Sequence, residues 1–134
     1  MLSPTADAAM QILNRLAVLV AVLISAGEVA RFWGDPRFFP MAFDELLVAA
    51  ALLWARWRAS QYGPLGHLAA WSAFAGLVLV LLIETATHQI HGPVKSAGTF
   101  YLGALSALLA LGLWAIRRSW QVLAAGDRRE IDLL

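Results

Sequence analysis

The chain has 134 residues, of which 60% are hydrophobic and only 14% charged, and its apolar runs recur along the whole length, leaving no room for a separate soluble domain. A net charge of +1 without a basic tract gives nucleic acid no purchase. The absence of cysteine excludes disulfides, thiolate metal ligands and redox-active thiols.

The first apolar run, about residues 10 to 33, is broken only by Asn14, Arg15, Ser25 and Glu28 and is long enough to span a bilayer. Arg15 followed by an apolar stretch ending in Ser25-Ala26-Gly27 also has the outline of a signal peptide. With the sequence starting at Met1, the segment is expected to be retained. A polar connection, Gly34 to Phe39, leads to Pro40, well placed at the first turn of a second helix over 41 to 58. Gly63, Pro64 and Gly66 supply turn chemistry. A third span follows over about 67 to 90, Gly92-Pro93 breaks it, and a fourth covers 96 to 116, leaving a short tail at 117 to 134. The expected fold is all-α, a four-helix transmembrane bundle in one domain.

With four spans, one side of the membrane carries Arg15, Arg56, Arg58, Arg117, Arg118, Arg128 and Arg129, and the other Arg31, Arg37 and Lys95. The excess of basic residues places both termini in the cytoplasm, as expected of an integral protein of a bacterial inner membrane. Trp54, Trp57, Trp71, Trp114 and Trp120 lie towards the basic side, and Phe32, Trp33, Phe38, Phe39, Phe43, Phe100 and Tyr101 mark the opposite boundary.

This topology gathers Glu28, Asp35, Asp44, Glu45 and Glu84 in the outward half. Asp35 and Glu45 read most simply as solvated. Glu84 lies one to two turns inside the helix end, where a charge costs about 2.5 kcal/mol or more near the bilayer centre and less towards the interface. Glu84, His88 and His91 follow the spacing i, i+4, i+7, which stacks a carboxylate and two imidazoles on one helical stripe beside Thr87. Asp44, in line with Ala51 and Ala55, looks more inward than Glu45. Glu28 shares a face with Ala21, Ile24 and Ser25. The fourth helix adds Thr99 and Tyr101 at the same height, with Gly98, Gly103, Ala104 and Ala107 as its expected contact surface.

Carboxylates and histidines on facing helices are the material of bundle metal sites. Glu84, His88, His91, Glu28 and Asp44 are therefore the candidate site for a divalent metal, another cation or a proton. A haem is not expected: His67 and His88 stand about 31 Å apart along one helix. No G-x-S-x-G, Walker loop, dinucleotide fingerprint or H-E-x-x-H is present. Acid-base catalysis on a lipidic substrate is the third-ranked reading. The second is an accessory or scaffolding subunit, and partners beyond the lipid bilayer are expected to be further copies of the chain or a larger membrane complex.

Ala26-Gly27, Arg31 and Glu45-Leu46-Leu47 resemble DoxX-like four-helix membrane proteins. An acidic residue late in the first helix and another early in the second is similar to the phosphate-starvation-inducible PsiE proteins. The resemblance covers residues 12 to 118 as a topology and carries over no functional residue. The DoxX likeness implies an accessory subunit of a quinone-linked redox complex, although no cofactor motif accompanies it.

Overall fold

A computed structural model describes residues 4–34, 42–93 and 97–132, with side chains as far as Asp127. Asp35, Arg37, Pro40 and Lys95, which figured in the expectations above, lie outside the described residues. Every described element is helical: α1 (Pro4–Arg31), α2 (Phe43–Trp57), the single turn α3 (Ala59–Tyr62), α4 (Pro64–His91) and α5 (Gly98–Asp132).

Three of these, α1, α4 and residues Gly98–Asp127 of α5, are long and apolar enough to cross a membrane. The second expected span is the exception. Its 15 residues make about 22 Å of helix against a hydrocarbon core of about 30 Å. The fourth departs in the other direction. Arg117 and Arg118 do not end it, because α5 is helical for 35 residues, so the expected tail is largely an extension of the helix. Ala6, Ala9 and Met10 from the start of α1 join Val122 of α5 in the core, which explains why both helices outrun the apolar windows: each extension buries a face.

Turn residues act where the sequence put them. Gly63, at φ 53°, takes a conformation that a side chain would oppose, its N–H donates to the Ala59 carbonyl at 2.9 Å, and Pro64 opens α4 with the φ a first turn requires. Gly34, at φ 79°, follows α1.

The helices pack as an antiparallel succession. Residue 66 lies against Ala55 and Trp54, Gly112 against Phe74 and Ala75, and Gly98 against Gln89. The last two contacts fix one antiparallel register between α4 and α5, the pair with the most extensive interface. The core is Leu13, Ala17, Val20 and Ala21 of α1, Leu52 and Ala55 of α2, Ala70, Trp71, Phe74 and Val78 of α4, and Ala115 of α5. Trp71 and Phe74 meet edge to face at 5.4 Å. Most of these residues belong to the basic half of the molecule. No residue of α4 after Val78 is buried.

One hydrogen bond ties the first helix to the fourth. His67 Nε2 and Asn14 Oδ1 are 2.8 Å apart, and His67 is fully buried. In the register of the α4–α5 pair Ser119 stands at the same level, also fully buried, with its hydroxyl donating to the Ala115 carbonyl at 2.8 Å. Asn14 is ten residues into α1 and His67 three into α4, so α1 reaches about 10 Å further at the basic end and α4 about 10 Å further at the acidic end.

Candidate functional site

The polar residues at the acidic end divide into two groups on different faces. Glu28, in the last turn of α1, and Glu45, in the first turn of α2, are both buried, at 9% and 7% exposure. Each carboxylate keeps one oxygen, Oε2, with no hydrogen-bond partner among the described residues. Glu28 Oε1 lies 3.8 Å from Arg31 Nη1, whose side chain is mostly exposed. Asp44 is exposed beside Glu45.

Asp44 and Glu45 thus exchange the places the sequence suggested. The stripe below Glu45 contains Ala49 and Leu52, both buried, and their spacing carries Glu45 inward. Below Asp44, Ala51 is only partly covered although Ala55 is buried, so this stripe runs along the edge of the covered face. The signal was legible in the apolar Ala49-Leu52 spacing; Arg56, exposed at the far end of the same stripe, masked it. Acidic residues in a first turn are also favoured by the helix dipole and the free N–H groups there, and α2 has no side-chain cap.

Glu84, His88 and His91 do share a stripe, but on the outside of the molecule. All three are exposed. With Ile83, Thr87 and Gly92 they line an open groove of about 460 Å³ at the end of α4. His91 Nδ1 lies 3.2 Å from the Thr87 carbonyl oxygen of its own helix. Thr99 and Tyr101 are exposed as well, and the Tyr101 ring stacks edge-on with Phe100, centroids 6.0 Å apart. Glu84, His88, His91, Glu28 and Asp44 therefore do not converge, and among the described residues no three His, Asp or Glu side chains form a group able to hold a metal ion.

Depth separates the groups too. Measured from the shared level of Asn14 and His67, Glu28 stands about 21 Å and Glu84 about 26 Å towards the acidic end. If the inner hydrocarbon boundary lies near Trp57, Arg58 and Gly66, a core of about 30 Å reaches to about Ala86. Glu28 and Glu45 are then more than a turn inside that boundary and Glu84 is just inside it. His88 and His91 fall among the headgroups. The carboxylates hardest to place in lipid are the α1–α2 pair, and the bundle covers them.

No family model matches the chain, and no curated protein or solved structure shows a match. None of these comparisons supports the likeness to DoxX and PsiE proteins, and no residue role enters from it.

The second polar feature absent from the expected site is at the basic end. His67 Nδ1 and Trp71 Nε1, one helical turn apart and both fully buried, have no hydrogen-bond partner among the described residues. Asn14 and His67 are both polar positions interrupting apolar runs, but they are 53 residues apart in sequence, and no periodicity links two such positions.

Proposed function

We propose that this chain is a small polytopic membrane protein that binds or passes a cation, either a proton or a metal ion, at the acidic end of the bundle. Glu28 and Glu45 are the pair that holds it. The observation supporting this reading is the burial of two carboxylates on facing helices, each with one unpartnered oxygen. Two like charges in a dry site repel, and a cation between them offsets both the repulsion and part of the desolvation cost. Asp44 stands at the mouth. Glu84, His88 and His91 lie outside this pair and are not its ligands.

In the same reading α2 completes a four-span bundle. Its 15 residues cover about 22 Å of the core, and α3 follows at the basic end. Both termini are then cytoplasmic, as the distribution of arginines favours, and a bacterial inner membrane is the natural host.

The test is thermal unfolding of the purified chain in nanodiscs, titrated with sodium, potassium, magnesium, manganese and zinc salts and over pH. A cation that raises the midpoint in the native chain and in Asp44→Asn, but not in Glu45→Gln or Glu28→Gln, supports the reading. Indifference of the native chain to every cation and to pH removes it. Stoichiometric co-purification of another protein would point to an accessory subunit instead, and conversion of a component of a lipid extract to an enzyme.

A further inference from the structure

We infer that the basic end of the bundle carries an arginine girdle that binds the phosphates of anionic phospholipid headgroups. The inference rests on the membrane placement of the helices but not on the cation reading, since none of its residues belongs to the acidic end.

Three contacts set the girdle at one height. Asn14 meets His67 across α1 and α4, residue 66 lies against Ala55 and Trp54 of α2, and the α4–α5 register, fixed by Gly98 on Gln89 and Gly112 on Phe74, brings Ser119 to the level of His67. Arg15 of α1, Arg56 and Arg58 at the end of α2, and Arg117 and Arg118 of α5 then fall within about 10 Å along the bundle axis. Arg15, Arg56 and Arg117 are exposed, and Arg58 and Arg118 partly so. By the boundary placement above, this is the height at which hydrocarbon gives way to headgroups.

The charge of the girdle has no counterpart in the chain. Among the described residues none of the five arginines is in an ion pair; the pair of Arg31 with Glu28 belongs to the opposite end. Along the same helices, Asp7 and Asp127 stand about 12 and 14 Å further out than Arg15 and Arg118. The hydrogen bonds that the guanidinium groups make are to neutral amides one turn away: Arg58 Nη1 donates to Gln61 Oε1, and Arg118 Nη1 to Gln121 Oε1 at 3.2 Å. Those bonds orient the side chains and leave most of their donors over. Arg58 Nε is buried with no partner among the described residues.

A guanidinium offers five N–H donors in a plane and takes a phosphate bidentately. The setting makes that phosphate a lipid's. Trp57 and Trp120 are 75% and 60% exposed at the same height, the position of indoles that settle among headgroups, and the Arg58 guanidinium lies 5.1 Å over the Trp57 ring. Uncompensated positive charge on three helices favours a headgroup of net negative charge over a zwitterionic one, whose own ammonium competes for the phosphate.

Brominated lipids quench neighbouring tryptophans, and every tryptophan except Trp33 belongs to this end. In vesicles of phosphatidylcholine holding the full chain, brominated phosphatidylglycerol is expected to compete for the girdle about fivefold better than brominated phosphatidylcholine, the effect of one basic side chain near an anionic surface. The preference should fall with added salt. It should vanish in the combined variant Arg15→Gln, Arg117→Gln, Arg118→Gln and return when the same positions are Arg15→Lys, Arg117→Lys, Arg118→Lys. Equal quenching of the native chain by the two lipids overturns the inference and leaves the membrane placement standing; quenching by neither removes both. A preference that survives the three glutamines also overturns it. So does one that inorganic phosphate abolishes at constant ionic strength, because the girdle would then be a site for a soluble anion.

Discussion

Position within a helical turn decides what each polar residue does here. Asp44 and Glu45 are adjacent in sequence, yet one is exposed and the other buried. If Glu45 is retained for binding rather than for stability, Glu45→Gln should leave the unfolding midpoint unchanged or raise it while abolishing the cation response, the usual exchange at functional sites. A loss of stability would identify it as a structural residue at the start of α2. Asp44→Asn, being exposed, should stay within about 0.5 kcal/mol of the native chain. At the other end, Asn14→Leu strands His67 Nε2 in the core and should cost about 1–3 kcal/mol. Combining it with His67→Phe should recover part of that loss, because both ends of the hydrogen bond are then gone. Reversible unfolding in mixed detergent micelles measures both variants, and simple additivity of the two losses would contradict the pairing.

At the scale of the elements, the α4–α5 pair is set by a glycine that the sequence reading did not select. Gly98, Gly103, Ala104 and Ala107 were the expected contact surface of α5. Gly98 does pack, against Gln89, but a Cβ at Gly103 would meet nothing within 4 Å and Ala107 is exposed. The close approach is at Gly112, where a Cβ would come within 3.1 Å of the Phe74 ring and 3.2 Å of the Ala75 Cβ. Gly112→Val therefore overpacks the interface and should cost about 1–3 kcal/mol. Gly103→Ala should be neutral or gain up to about 1 kcal/mol from helix propensity. Equal effects of the two in an unfolding assay would show the register of the pair to be wrong. The second helix ends where the expected 41 to 58 placed it: α2 stops at Trp57, and the chain resumes after Arg58 as the single turn α3 before Gly63 ends it.

For the molecule as a whole, the four-span reading requires α2 to cross the bilayer beside the three longer helices. Sidedness tests it. In intact cells or oriented vesicles, His91→Cys should react with a membrane-impermeant maleimide from the outer side, and Asp127→Cys only after permeabilisation. Asp7→Cys should behave like Asp127→Cys if α2 spans. Labelling of Asp7→Cys from the side opposite to Asp127→Cys would leave three crossings and retire the four-span topology. Tight packing in the basic half and thinner cover in the acidic half also imply that hydrogen exchange is slowest around Leu13, Leu52 and Trp71 and faster beyond Val78.

Hydrophobic periodicity and glycine and proline punctuation determine from the sequence alone that this is a helical protein with helices long and apolar enough to cross a membrane, because the bilayer demands long apolar helices wherever a chain crosses. They place the turns at Gly34 and Gly63, whose backbone conformations follow from local chemistry. Which carboxylates are buried was decided by the tertiary structure. Glu28 and Glu45 are both covered, and Glu84 with its histidines turns outward, because helix rotation is fixed by packing against neighbours: the Asn14–His67 hydrogen bond, the fit of Phe74 on Gly112, and the Ala49-Leu52 face of α2. A helical stripe read from spacing gives the residues that share a face, but the neighbouring helices determine which face is covered.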